Sequence, residues 1–315
     1  NMPTALWHQS KTHSELQPVQ LPTAGLRAKA RYSLVSTGTE RLVATGGVPT
    51  ALHQSRRVPG MSGKFTFPLT YGYSWVGEVE APGHERHGQL VHTLWPHQDE
   101  LRTEAAMLFP VPSSVPPLRA TLASNMETVV NAIWDSGVSV GDRVLILGFG
   151  MIGGLLARTL SRMPGVKVMV AETDSRRNKQ CAEMGFSNWD GRAVDAAFHT
   201  TATSAGLQSA INAVGMEGRV VELSWYGESA ATLNLGGGFH YGRKQVISSQ
   251  VAHLPTARRP RWDFRRRKAL VMELLKAESY DAHITQVQPF SKAPEFFRQL
   301  RSGTVPPLGT AFDYS

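Results

Sequence analysis

Six consecutive residues constrain this chain more than any others. Gly148-Phe149-Gly150-Met151-Ile152-Gly153 has the G-x-G-x-x-G spacing, which carries weight only in the right surroundings. Those surroundings are present. The continuous apolar run Arg143–Leu147 leads directly into it, and Ile152–Met163 carries a helical stripe behind it. In such a strand–turn–helix, Gly148 allows the tight turn and Gly150 lets backbone approach a pyrophosphate. Gly153 lets helix and strand pack closely. Met151 and Ile152 open a helix whose N-terminal N–H groups face the phosphates. A second buried strand, Val166–Ala171, ends at Glu172, where an acid accepts from ribose hydroxyls. Asp174 is its rival for that role. Glu172 favours NAD, because a carboxylate repels a 2′-phosphate. Arg176 and Arg177 follow at once and would neutralise one, so NADP stays open. Thr173 and Arg177 are placed in the same cofactor site.

The hydrophobic period divides the chain. Before residue 117, short β-type runs (Thr4–His8, Leu26–Val35, Ser74–Glu80, Gln89–Leu94) alternate with glycines and prolines. Pro110, Pro112, Pro116 and Pro117 then form a linker-like cluster. Beyond it, strand patterns (also Val194–His199, Arg219–Trp225, Gln245–Val251) alternate with helical ones (Ala120–Trp134, Arg176–Met184, Leu207–Ala213, Arg265–Lys276). That alternation predicts an α/β chain: a β-rich domain over 1–117, then a doubly wound parallel sheet over 118–279. The tail, 280–315, reads strand–helix–strand and either extends that sheet or returns to the first domain. Ligands bind beyond the carboxyl ends of parallel strands. Thr200, Thr201 and Ser248 are therefore cofactor candidates, and Trp225 and Tyr226 an aromatic wall for a planar substrate.

The net charge of +8 invites a nucleic-acid partner, but it is localised. Arg258–Lys268 holds seven basic residues and one acid, Asp263, leaving the remainder nearly neutral. The patch is a solvated face, or Arg258, Arg259 or Arg261 holds a carboxylate or phosphate on the substrate. No nucleic-acid partner is expected. The longest uncharged apolar stretch, Val144 to Ala157, is too short to span a membrane. A single cysteine, Cys181, sits at core spacing and suits a reduced, cytoplasmic protein.

The layout of β-rich domain, dinucleotide unit and return segment resembles the medium-chain dehydrogenase/reductase superfamily. The resemblance implies a GroES-like barrel over 1–117 rejoined by 280–315, a Rossmann domain, and nicotinamide and substrate held between the domains. Relatives are commonly dimers or tetramers, so a homodimer is expected. Zinc members hold their metal on a Cys, a His and a third Cys or Glu. The matching runs here, Thr37-Gly38-Thr39-Glu40, Gly72-Tyr73-Ser74 and Leu122-Ala123-Ser124-Asn125, offer Thr37, Tyr73 and Ser124, none a good zinc ligand. A zinc-free member is therefore expected, with no metal site. Ser36-Thr37-Gly38-Thr39-Glu40-Arg41-Leu42, Pro68-Leu69 and Tyr71-Gly72-Tyr73 are similar to the branch containing bacteriochlorophyllide dehydrogenase.

Without a metal, hydride transfer needs another proton donor. Tyr73 stands where the resemblance puts the lost histidine, and a phenol there donates to a developing alkoxide or else is a buried structural tyrosine. His97 is a candidate relay, with Asp99 to orient it. Thr39 and Glu40 neighbour the Thr37 position, and Glu40 alternatively pairs with an arginine. Thr37, Trp95, Asp99 and Ser124 complete the expected substrate surroundings. The expected activity is interconversion of an alcohol and a carbonyl on a small molecule, acidic or planar. Reduction of an activated C=C bond and a catalytically silent dinucleotide binder are the alternatives.

Overall fold

The computed structural model describes residues 2–315. Two units emerge, one from residues up to 124 with 272–315, the other from 125–271. In the first, alternating buried positions make the strands. β1 (Thr4–His8) pairs antiparallel with β2 (Ser14–Pro18). β3 (Leu26–Val35) runs directly into α1 (Thr37–Ala44), a helix the sequence pattern does not announce. Thr37, Gly38 and Thr39 are poor helix formers. The helix holds because Glu40 reaches back to accept from the Ser36 N–H at 2.5 Å, and because Ala44 is buried against Phe290, Phe296 and Phe297. β4 (Leu69–Thr70) joins β1. β5 (Trp75–Val79), β6 (Leu90–Thr93), β7 (Glu100–Thr103) and β8 (Phe109–Pro110) complete the strands of this stretch. Helices α2 (Pro117–Ala120) and α3 (Ala123–Ser136) follow; α3 is the helix expected over Ala120–Trp134, and the short α2 precedes it.

The second unit is built on one parallel sheet. Its strands are β9 (Arg143–Leu147), β10 (Lys167–Ala171), β11 (Ser187–Asn188), β12 (Val194–His199), β13 (Val214–Glu222) and β14 (Gln245–Ser248). Their spatial order, β11-β10-β9-β12-β13-β14, is the 3-2-1-4-5-6 order of dinucleotide-binding sheets. Helices α4 (Met151–Leu160), α5 (Ser175–Glu183), α6 (Ser204–Ala213), α7 (Gly238–Tyr241) and α8 (Phe264–Leu274) connect or follow them. The strand order reverses between β9 and β12, which opens a crevice at their carboxyl ends.

The tail returns to the first unit and does not extend the parallel sheet. β15 (Ile284–Pro289) pairs with β16 (Gly309–Asp313), and β16 pairs antiparallel with β3. Between them, α9 (Ala293–Ser302) buries Phe296 and Phe297 beside Phe312. Each such aromatic contributes roughly 1.5–3 kcal/mol of burial.

The basic segment is only partly a solvated face. Arg267 and Lys268 are buried, and both reach the Glu127 carboxylate, at 3.4 and 3.3 Å. Arg258 lies over the Trp134 ring and Arg266 over Trp262. Asp263 accepts from the Arg266 N–H at the start of α8, which offsets the cations at that helix end. Cys181 is fully buried, as its spacing predicts. Among the described residues no helix is long and apolar enough to cross a membrane.

Candidate functional site

The turn after β9 has the shape its glycines imply. Gly148 adopts φ +100°, a region closed to most side chains. A Cβ there would also sit 2.5 Å from the Thr200 hydroxyl. At Gly153 a Cβ would collide with the Gly148 carbonyl, so strand and helix could not approach. Gly150 differs. It caps α4, and a Cβ there would meet no protein atom. Packing does not require that glycine, and the open space lies at a helix N-terminus whose first N–H groups lack intrahelical partners. Met151 and Ile152 begin that helix. The arrangement fits a pyrophosphate.

Glu172 closes the other side. Its carboxylate accepts from the Phe149 N–H at 2.5 Å and the Asp174 N–H at 2.9 Å. Each oxygen keeps a lone pair for a ribose hydroxyl. Asp174 is spent elsewhere, capping α5 by accepting from the Arg176 and Arg177 N–H groups. That capping holds its carboxyl below the ordinary range, with the Arg177 N–H the largest cause. Thr173 is exposed and Arg177 half-buried beside it. Thr200 donates to the Leu147 carbonyl at 2.8 Å, while Ser248 is exposed at the end of β14.

Two residues at these strand ends carry no motif and are absent from the sequence-based site. His199 ends β12, fully buried, and Glu222 ends β13. Their side chains meet at 2.8 Å, and the Tyr226 hydroxyl donates to the same Glu222 oxygen at 3.0 Å. The imidazole's other nitrogen lies 2.7 Å from the Thr201 hydroxyl. The available signal is a polar residue closing an otherwise apolar strand, in Ala196–His199 and in Val220–Glu222. Trp225 is half-buried next to Tyr226.

In the first unit a second cluster forms around α1. Glu40 and His97 are both buried, with 2.5 Å between their side chains. His97 also contacts the Ser33 hydroxyl at 2.7 Å, and Ser33 contacts the Tyr314 hydroxyl at 2.8 Å. One consistent direction runs Tyr314 to Ser33 to His97 to Glu40, each hydroxyl or ring N–H donating to the next. The Tyr73 hydroxyl bonds Ser36 and Thr39. Burial first, and the nearby Glu40 charge second, push its pKa up to about 12, while those two bonds pull the other way. Tyr73 is thus a neutral phenol at physiological pH.

Several expectations are corrected here. Glu40 pairs with a histidine, not an arginine. Asp99 does not orient His97; its carboxylate accepts from the Thr4 N–H and ties down β1. Trp95 packs with Trp75, Val91 and Leu101 in the core of the sheet rather than facing a ligand. Ser124 donates to the Tyr73 carbonyl at 2.5 Å and contacts His92. Thr37 is half-buried at the first turn of α1. The donors at positions 37, 73 and 124 are hydroxyls, and among the described residues no group of three or more His, Cys, Asp or Glu could hold a metal. Arg258 is held against Trp134, and Arg261 is exposed.

No protein-family model matches the chain. Over 192 residues it is 24% identical to the D-guloside 3-dehydrogenase of Escherichia coli K12, a match covering 55% of this chain and 55% of that protein. The chain spans about half the length of the curated relatives it matches. Among solved structures, galactitol-1-phosphate dehydrogenase of Escherichia coli superposes with a TM-score of 0.81 at 12% identity, covering 99% of this chain and 100% of that one. A short chain alcohol dehydrogenase of Escherichia coli CFT073, complexed with NADH, gives 0.76 at 13% identity, covering 99% of each. The fold is the one these dehydrogenases share, a GroES-like domain joined to a Rossmann domain.

Proposed function

We propose that this chain is an NAD(P)-dependent oxidoreductase of the medium-chain dehydrogenase/reductase type, working without zinc, that interconverts an alcohol and a carbonyl on a small molecule. The observation that carries this is the dinucleotide cradle. Gly150 leaves open space at the start of α4, Gly153 sits on the Gly148 carbonyl, and Glu172 is fixed beside the turn. Gly148, Gly150, Gly153 and the Met151–Ile152 helix start hold the pyrophosphate, and Glu172 holds the ribose. NAD is favoured over NADP, because the Glu172 carboxylate is fixed beside the turn, where it would repel a 2′-phosphate.

A bound dinucleotide supplies or takes the hydride. The protein's part is the proton. The Tyr73 phenol donates to the developing alkoxide, oriented by Ser36 and Thr39. Glu40, backed by His97, keeps a carboxylate close by. Hydroxyls at Thr37, Tyr73 and Ser124 support zinc independence. Arg261, exposed on the basic segment, is the residue we propose to meet an acidic substrate group. The exposed edge of the parallel sheet at β14 supports a homodimer. Hydroxyl-rich compounds head the assay panel, since a guloside and galactitol 1-phosphate are named in the relatives. The test is nicotinamide absorbance with NAD(H) and NADP(H) against polyols, aldehydes and ketones. Turnover with a lower KM for NAD is expected. Dinucleotide binding without turnover of any alcohol or carbonyl overturns the catalytic reading, and a strong NADP preference overturns the Glu172 argument.

A further inference from the structure

The cluster at the ends of β12 and β13 has a direction written into it. The Ser224 N–H donates to Glu222 at 2.7 Å, and the Tyr226 hydroxyl donates to its second oxygen. Burial pushes this carboxyl up, but the bonds from His199 and Ser224 bring it below the ordinary range, so it is an anion at neutral pH. An anion can only accept. A neutral His199 must therefore present Nδ1–H to Glu222, which leaves Nε2 as a bare lone pair, whereas an imidazolium would donate from both nitrogens. The Thr201 hydroxyl, 2.7 Å away, must then give its proton to Nε2. Thr203 lies 3.0 Å behind Thr201, whose one proton is already given to Nε2, so Thr203 donates to Thr201. Every proton in the array is committed toward Glu222.

The contact is closely built. A Cβ at Gly206 would stand 2.5 Å from His199 Nε2 and would also collide with the Thr201 hydroxyl, so only glycine lets α6 pass here. Ala202, between the two threonines, is held at φ +52°. A non-glycine residue is strained in that region, so the loop is held against its own preference. Thr201 is exposed, while the histidine behind it is not. Thr200 and Thr201 also border the Gly148 turn, since a Cβ on Gly148 would touch both.

We infer that Glu222 and His199 are positioning residues that make the exposed Thr201 hydroxyl an acceptor-only group, which takes a hydrogen bond from a donor of the bound dinucleotide, a ribose hydroxyl or the carboxamide N–H. The inference rests on the dinucleotide reading of the Gly148 turn. Replacing Glu222 by glutamine removes the anion and lets the amide donate to Nδ1. The imidazole then carries its proton on Nε2 and donates to Thr201, which reverses the polarity with little change of shape.

The test combines titration of NAD(H) with ring ¹⁵N spectra of histidine-labelled protein, His199 being assigned by its missing signal in His199→Asn. The wild type should show the Nδ1–H tautomer and Glu222→Gln the Nε2–H tautomer. Glu222→Gln should weaken NAD(H) binding about tenfold, and Glu222→Asp, which keeps the anion, should restore most of it. Thr201→Val should lose about the same, and the double variant Glu222→Gln/Thr201→Val no more than either alone. If Glu222→Gln does not fold, Thr201→Val and the wild-type tautomer carry the test. Repeating the titration with the 3-acetylpyridine analogue separates the donors: a persisting penalty identifies a ribose hydroxyl, a vanished one the carboxamide. An Nε2–H tautomer or an imidazolium in the wild type at neutral pH, additive penalties, or an unchanged Kd in folded Glu222→Gln overturns the inference. A wild type that binds neither NAD(H) nor NADP(H) overturns the cofactor reading itself, and this inference with it.

Discussion

Tyr73 shows what a single side chain gains from its surroundings. A phenol with its pKa pushed up to about 12 by burial and by Glu40 stays protonated throughout the neutral range. It is a hydrogen-bond donor waiting for an oxyanion, not a base. Tyr73→Phe keeps the ring and its edge contact with Tyr71 but removes the proton. Turnover should fall at least about tenfold, while the KM for the dinucleotide changes little; an unchanged kcat removes Tyr73 from the chemistry. Tyr73, Thr39, Glu40 and His97 were all legible as candidates from residue type and motif position. Their connections were not. His97 and Glu40 lie 57 positions apart, and what joins them is backbone pairing, such as the Leu6 N–H donating to the His97 carbonyl. Asp99, two residues along, looked the natural orienter for His97. The same pairing turns it toward Thr4 instead. Proximity in sequence misled where sheet register decided.

At the level of elements, hydrophobic period and continuous apolar runs were sound guides. β3 and β12 have the expected bounds, and the helices of the parallel unit fall within a few residues of theirs. The failure at α1 has a physical reason, since its stability comes from the Glu40 cap and from α9 side chains near the other end of the chain. The β1–β2 hairpin holds a different consequence of burial. His8 faces Ser14 across the strands, with 2.8 Å between the imidazole and the hydroxyl. Burial, with Arg301 and His97 adding to it, lowers its pKa from 6.5 to about 3. The native imidazole therefore stays neutral while the unfolded one binds a proton below about pH 6.5. Stability contributed by the neutral form is complete above that value and is lost as pH falls toward 3. At about pH 5 the loss should approach 2 kcal/mol, from 1.36 kcal/mol per unit. Thermal unfolding from pH 7 to 5 should show Tm falling in the wild type and falling less in His8→Gln. Equal slopes would mean other groups dominate.

For the molecule as a whole, the charge that first suggests a polyanion partner is only partly taken up by folding. Arg267 and Lys268 neutralise Glu127 inside the second unit, and Arg258 and Arg266 lie on tryptophans. A second exposed feature is apolar. β14 is the last strand of the parallel sheet and pairs on one side only, with β13. Val246 on it is 38% exposed, Met216 on β13 68%, and Tyr241 on α7 81%. An open strand edge with apolar neighbours is a template for pairing with another chain, and folded proteins ordinarily cover or charge such edges. Arg243 and Glu217 flank this one but are bonded to each other at 2.5 Å, which lowers their power to repel a second copy. A twofold axis at β14 would bring the same apolar residues from two chains together and continue the sheet across both, the self-complementary arrangement of a symmetric dimer. Light scattering after size exclusion at about 10 µM should therefore give twice the chain mass. Val246→Lys, which places like charges opposite one another across that axis, should shift the protein toward monomer while leaving NAD(H) affinity unchanged. A wild type that is already monomeric, or a Val246→Lys variant that stays dimeric, would show that this edge is not where two copies meet.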